Sequence, residues 1–350
     1  MTARTPSDNT AGPAANRTPW ARLLPLAVTL LLVALVGTYL YYWQDAWRSL
    51  TRARPTDLAC LVVLWGSICL ATGYTNYLMY RALGQRVDFL EWYGLPIHQS
   101  MSSYFIPLRG AAAVTAVYMK KCRGLSYSRF VVCLLAVQAF FMLTTGPAAC
   151  LLLVAIGVAR GQWHEELLWF FGAVATVSWL AWLVLLRVRL PVGRLRRLIA
   201  GISEGWRLLH GDPGLIAKVL LLVWLRTALH GLRMFVAMRA VGVPCGPMEA
   251  GVYGIVTQYS TFFTLAPGNL GVQEAALTAS SGLLGYSPEL GMAGALLIRG
   301  VSLVMTFALG PVFGFVFARR LARCATGQPA DGARPPSGAG APDPPTPAEV

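Results

Sequence analysis

Arg109, Arg226, His230, Arg233, Glu274 and Arg299 stand inside largely apolar stretches of this 350-residue chain. Arg226, His230 and Arg233 follow i, i+4, i+7 spacing, which puts them on one face of a helix. An arginine at the middle of a bilayer costs at least ~2.5 kcal/mol even on the lenient insertion scale. Each therefore needs a partner or a wet cavity. Glu274 is the one acid of the set and can neutralise one of them. The charge left over is positive and suits an anionic group such as a lipid phosphate, which arginine grips through paired donors. Plainer readings stand beside this one. Arg299 and Glu274 can be a buried strut, Arg226 can snorkel from the cytoplasmic end of its helix, and His230 can be a packing residue.

The stretch that must position these groups runs from Thr261 to Glu274. It holds Pro267, Gly268, Asn269 and Gly271 within an apolar region. Pro267 and Gly268 end one helix, Gly271 permits close backbone approach, and Val272 restarts a second helix with Glu274 in its first turn. Non-helical chain is tolerated at membrane depth only where it is buried in protein or lines a cavity. Broken helices of this kind mark transporter sites, and their free backbone N–H groups can take a phosphate. The alternative is a surface loop joining two ordinary spans, with Glu274 as a helix N-terminal charge.

Composition sets the class. Apolar residues make up 56% and charged residues 13% of the chain, and mean hydropathy is +0.55. That is a polytopic membrane protein. The formal charge of +14 comes from Lys and Arg placed between apolar runs, as the positive-inside rule expects, which argues against nucleic acid. The seven cysteines show no C-x-x-C spacing and read as small core residues. The four histidines have no metal-ligand spacing. Neither a metal nor a cofactor is expected, and no phosphate-cradling glycine loop precedes a lysine.

In chain order, residues 1–19 and the Pro/Gly/Ala-rich residues 325–350 are too polar or too simple to build a core. Residues 20–324 form the membrane domain. Leu23–Tyr42 and Leu58–Tyr80 are long enough to span ~30 Å of hydrocarbon. Phe89–Met119 is only partly apolar and reads as a re-entrant hairpin around Pro107. Phe130–Val158 is too long for an upright span and is expected to tilt or break at Thr144–Pro147. Leu167–Leu186 crosses back. Residues 187–213 carry six arginines with apolar residues at helical spacing, which predicts an interfacial helix. Leu215–Val241, the arms Met248–Ala266 and Val272–Leu284, and Gly291–Phe317 follow. Gly310 and Gly314 in the last span are spaced for close helix packing.

The fold class expected is all-α, with about six full spans and two re-entrant or broken segments. The basic loops at 120–129, 187–207 and 319–323 belong in the cytoplasm, with 163–166 and 242–247 outside and both termini inside. The halves 20–160 and 161–324 then form an inverted-topology repeat. Pro107 matches Pro267, and Gly124 with Ser126 matches Gly285 with Ser287. Such repeats place a site between the halves near the midplane.

The run from Leu265 to Ala276 (LAPGNLGVQEAA), with Gly285, Pro288 and Arg299 after it, is similar to the pattern of the lysylphosphatidylglycerol synthase transmembrane region. Ile106 to Ala111 (IPLRGA) with Gly124 to Arg129 (GLSYSR) is a second, weaker match. The chain departs from the family pattern at Ala111 and Ala112, where an acid is usual, and at Gln138, where a charged pair is usual. The resemblance covers most of the chain. It implies a flippase-like protein of a bacterial cytoplasmic membrane that handles an anionic lipid or lipid-linked substrate. Pro267, Gly268, Asn269, Gly271, Glu274 and Arg299 form the matched motif, and Arg109, Arg226 and Arg233 join them as substrate-binding candidates. In the family the aminoacyl transfer is attributed to a separate soluble domain, so no enzyme activity is expected of these residues. The alternatives are a membrane partner of an envelope lipid- or glycan-modifying enzyme and, behind it, a membrane-embedded lipid transferase.

Overall fold

The computed structural model describes residues 53–106, 110–187, 211–263 and 267–325. The first expected span, the basic interfacial segment beyond Arg187, both tails and Pro107–Arg109 lie outside the described residues. Nine α-helices, and no strands, occur among the described residues: α1 Pro55–Ala82, α2 Phe89–Ser103, α3 Gly110–Arg123, α4 Tyr127–Arg160, α5 Glu165–Arg187, α6 Pro213–Ala240, α7 Pro247–Ser260, α8 Val272–Leu283 and α9 Pro288–Ala325. Five of them, α1, α4, α5, α6 and α9, are long and apolar enough to cross a membrane.

Helix starts follow local chemistry. Proline stands at the first helical position of α1, α6 and α7, where its missing N–H costs nothing. Asp212 accepts a hydrogen bond from Leu215 N at 3.0 Å and opens α6. Asp88 and Glu91 cap α2 reciprocally, at 3.0 and 3.1 Å.

The element order repeats. Helices α1 to α4 run 28, 15, 14 and 34 residues, and α6 to α9 run 28, 14, 12 and 38. Left-handed glycines follow the first and third helix of each set: Gly84 and Gly124, then Gly242 and Gly285. The match extends to packing. A Cβ on Gly73 of α1 would sit 2.2 Å from the Trp92 carbonyl oxygen of α2. A Cβ on Gly231 of α6 would sit 2.5 Å from the Ala250 carbonyl oxygen of α7. Glycine is required at both places because the neighbouring backbone fills that space. The two pairs stand at one common spacing, from Gly73 to Gly231 and from Trp92 to Ala250. Between the sets, α1 packs on α6, α2 on α9 and α7 on α4. The Gly310 and Gly314 stripe on α9 receives Met101 and His98 of α2.

One alternative falls away and one expectation needs correction. Of the tilt or break expected at Thr144–Pro147 the break is absent: helix α4 runs unbroken for 34 residues, about 51 Å at ~1.5 Å per residue. Pro147 removes one backbone bond, and the Thr144 and Thr145 hydroxyls donate to the carbonyls of Phe140 and Phe141 at 2.7 Å. Gly146 lets α5 pack closely there, against Ala175. The cysteines are not all core residues either. Cys133 and Cys245 are buried thiols, but Cys122 of α3 and Cys324 of α9 are joined as a disulfide across a sequence separation of 202.

Candidate functional site

The described residues between α7 and α8 form no α-helix. Helix α7 stops at Ser260, short of the Ala266 expected, and 3-10 turns at Thr261–Phe263 and Pro267–Asn269 precede α8. Gly268, Asn269 and Gly271 all have positive φ, at 61°, 57° and 81°. Asn269 tolerates this because its short amide can bond locally, and its Nδ2 donates to Ser260 O at 3.1 Å. Tyr104, just beyond α2, lies against Gly268, where a Cβ would fall 2.2 Å from its ring. Two broken segments therefore meet, one from each half.

Arg299 of α9 ties this elbow together. Its Nε donates to Glu274 Oε1 at 2.5 Å, in a pair whose side chains are 11% and 8% exposed. One terminal nitrogen donates to Gly268 O at 3.0 Å and to Tyr104 OH at 3.3 Å. The other donates to Asn269 O at 2.9 Å. Glu274 in turn accepts from Gly271 N at 2.8 Å through Oε2. The expectation that this N–H stays free for a phosphate is corrected here: the helix is capped by its own glutamate, which lies three residues on. Nearly all the donor capacity of Arg299 goes into holding the elbow.

Arg233 reaches α9 as well, donating to Ile298 O at 2.7 Å and to the Ser302 hydroxyl. Arg226 differs. It stands midway along α6 with its Nε buried and without a hydrogen-bond partner among the described residues. No hydrogen bond or ion pair reaches its side chain among the described residues. Together with His230 it lines a cavity of about 120 Å³ whose other walls are Thr72, Gln138, Phe141, Gln258 and Thr261. Those residues come from α1 and α4 of the first half and from α6, α7 and the turn after α7 of the second. Gln258 donates to Thr227 Oγ1 at 2.5 Å. A larger cleft, about 580 Å³, lies between α8 and α9, lined by Ala275, Thr278, Ala279, Gly282, Leu283, Pro288 and Met292. It offers almost no polar groups, in contrast to the Arg226 cavity.

A family model described as Lysylphosphatidylglycerol synthase TM region matches residues 22–310. The chain belongs to that family. A search of the curated proteins returned no match. In this lysylphosphatidylglycerol synthase TM-region protein, the matched span contains every residue of the elbow and of the cavity. Arg320 and Cys324 lie beyond it.

The candidates thus fall into two groups. Gly268, Asn269, Gly271, Glu274 and Arg299 come together at the elbow, where Pro267 opens the second turn. Arg226 faces the cavity, and Arg233 bridges from the same helix to α9 beside Arg299. Arg109 lies outside the described residues. Sequence reasoning missed Tyr104 and Gln258. The run Thr257, Gln258, Ser260 and Thr261 of polar side chains at the end of an apolar helix was the available signal for Gln258.

Proposed function

We propose that this protein binds an anionic lipid, or a lipid-linked anion, between its two halves and lets the headgroup change leaflets. The observation that carries this reading is Arg226, whose guanidinium has no hydrogen-bond or ion-pair partner among the described residues, midway along a helix long and apolar enough to span a membrane and facing a polar cavity built by both halves. Arginine without a partner inside a membrane is costly, and an anionic oxygen group would offset that cost. Glu274 does not, because Arg299 already holds it. A headgroup crossing hydrocarbon alone meets a desolvation barrier that a cationic, polar path lowers.

The repeated element order supports an inverted-topology repeat, with the two halves inserted in opposite senses and the cavity near the midplane. Both termini and residues 187–213 would then be cytoplasmic, in a bacterial inner membrane. Single cysteines labelled by an impermeant maleimide on intact cells test that arrangement. Labelling at 187–213 without permeabilisation contradicts it.

Binding is tested by mass spectrometry of lipid retained after purification. The wild-type chain is expected to keep an anionic phospholipid that Arg226→Gln loses. Equal retention by both would remove Arg226 from the binding reading.

A further inference from the structure

We infer that Cys122 and Cys324 form a reversible redox site, whose disulfide locks the two halves together at a basic end of the protein and whose reduction lets that end open. The inference rests on the proposed cytoplasmic placement of the basic ends and adds a control to the proposed translocation.

The place of the bond carries it. Cys122 lies in the last turn of α3 with Lys120, Lys121 and Arg123, and Cys324 lies in the last turn of α9 beside Arg323. Helix α9 has 38 residues, about 57 Å at ~1.5 Å per residue against ~30 Å of hydrocarbon. Its end with Arg319, Arg320 and Arg323 is the part that belongs in water. Both cysteines are half-buried, within reach of a small thiol. Basic ends face the cytoplasm, where thiols are kept reduced and a disulfide is typically transient and redox-sensing. Neighbouring cations favour the thiolate that performs the exchange.

The bond also sits beside a charged junction. Glu91 of α2 takes Arg123 of α3 at 2.7 Å and Arg320 of α9 at 3.5 Å, so ion pairs and disulfide hold the same helices across the two halves. The matching junction, where Arg160 of α4 meets Glu249 of α7, has no such bond. At the spacing that relates Gly124 to Gly285, Cys122 falls on Leu283 and Cys324 on Trp163. The repeated architecture therefore does not require the tie, and Cys324 lies beyond the family match. Reduction by a dithiol proceeds in two steps. A reductant thiolate attacks one sulfur, breaking the S–S bond and releasing the other cysteine. The reductant's second thiolate then attacks its own first sulfur, freeing the second cysteine and leaving as a cyclic disulfide. Two electrons and two protons pass from the dithiol to the cysteine pair.

The test uses the full chain in detergent. Dithiothreitol added to the native protein is expected to make Cys122 and Cys324 alkylatable, read by mass spectrometry of their peptides, and oxidised glutathione is expected to reverse this. Reduction is expected to speed hydrogen exchange in residues 88–95 and 111–123 about threefold or more, with no change in residues 247–253. Under oxidant, Cys122→Ser is expected to exchange like the reduced wild type. Cys324→Ser covers the case in which Cys122→Ser fails to fold. In vesicles, the oxidised chain is expected to move phosphatidylglycerol more slowly than the reduced chain, and the serine variants to ignore oxidant. A bond that resists dithiothreitol until the protein is denatured is a structural disulfide and overturns the inference. Hydrogen exchange indifferent to redox state overturns it too, as does an unchanged rate in a chain that moves lipid. Exchange that follows redox state in a chain that moves no lipid would leave the redox site standing and refute the translocation reading.

Discussion

Arg160 lies 2.5 Å from Glu249, joining the last residue of α4 to the first turn of α7 across the two halves. The first half has the matching arrangement. Arg320, near the end of α9, lies 2.8 Å from Asp88 and 3.5 Å from Glu91 at the start of α2. Each half thus inserts an acidic helix start beside an arginine at the end of the other half's long helix.

The two junctions are not equally provided for. Glu91 also takes Arg123 at 2.7 Å and the Tyr118 hydroxyl at 2.7 Å, whereas Arg160 is the one cation paired with Glu249 among the described residues. Arg160→Gln is therefore expected to lower the melting temperature more than Arg320→Gln, because it strands a buried carboxylate. The 45% exposure of Arg160 moderates the loss. A larger drop for Arg320→Gln would contradict this ranking.

At the elbow, Glu274→Gln leaves Arg299 buried without its counter-charge and is expected to cost about 3 kcal/mol. The double change with Arg299→Gln is expected to recover part of that loss. Arg299 also holds the carbonyls of Gly268 and Asn269, so recovery stays incomplete. Melts of the three variants in detergent give the coupling. Strictly additive losses would mean that the two side chains act independently.

Gly73→Ala and Gly231→Ala each drive a methyl into a neighbouring carbonyl and are expected to cost about 1–3 kcal/mol. Gly66→Ala is the control, since a Cβ there meets nothing within 4 Å. It is expected to be neutral or slightly stabilising, as alanine is the better helix former. Similar melting of all three variants would show that the two close contacts are not tight.

Much of this organisation was legible in the chain, and the limits have physical causes. Pro267, Gly268 and Gly271 announce the elbow because each breaks a helix by its own local chemistry. Glu274 and Arg299 were readable as partners because an interior acid is rare enough to narrow the choice. The cross-half junctions were not readable. Glu249 looks like any first-turn acid, and its partner Arg160 looks like an ordinary basic helix end. Both gain meaning only when distant helices pack. The Cys122–Cys324 pairing was hidden for the same reason. The repeat was traced through Pro107 and Pro267, while the firmer match of Gly73 with Gly231 runs at a slightly shorter spacing and escaped that register.

The disulfide gives a direct count. Five cysteines are free among the described residues, so denatured, unreduced protein is expected to take up five alkyl groups and reduced protein seven. Seven in both would show that Cys122 and Cys324 are thiols in the isolated protein.

Movement of an anionic lipid through reconstituted protein is the most direct test of the proposed function. Vesicles carrying tail-labelled phosphatidylglycerol are exposed to an impermeant quencher. The wild-type chain is expected to raise the quenched fraction above the outer-leaflet share, and Arg226→Gln is expected to slow this without loss of folding. If folded protein moves neither phosphatidylglycerol nor a polyprenyl phosphate, the translocation reading fails, and a membrane partner of an envelope-building enzyme takes its place.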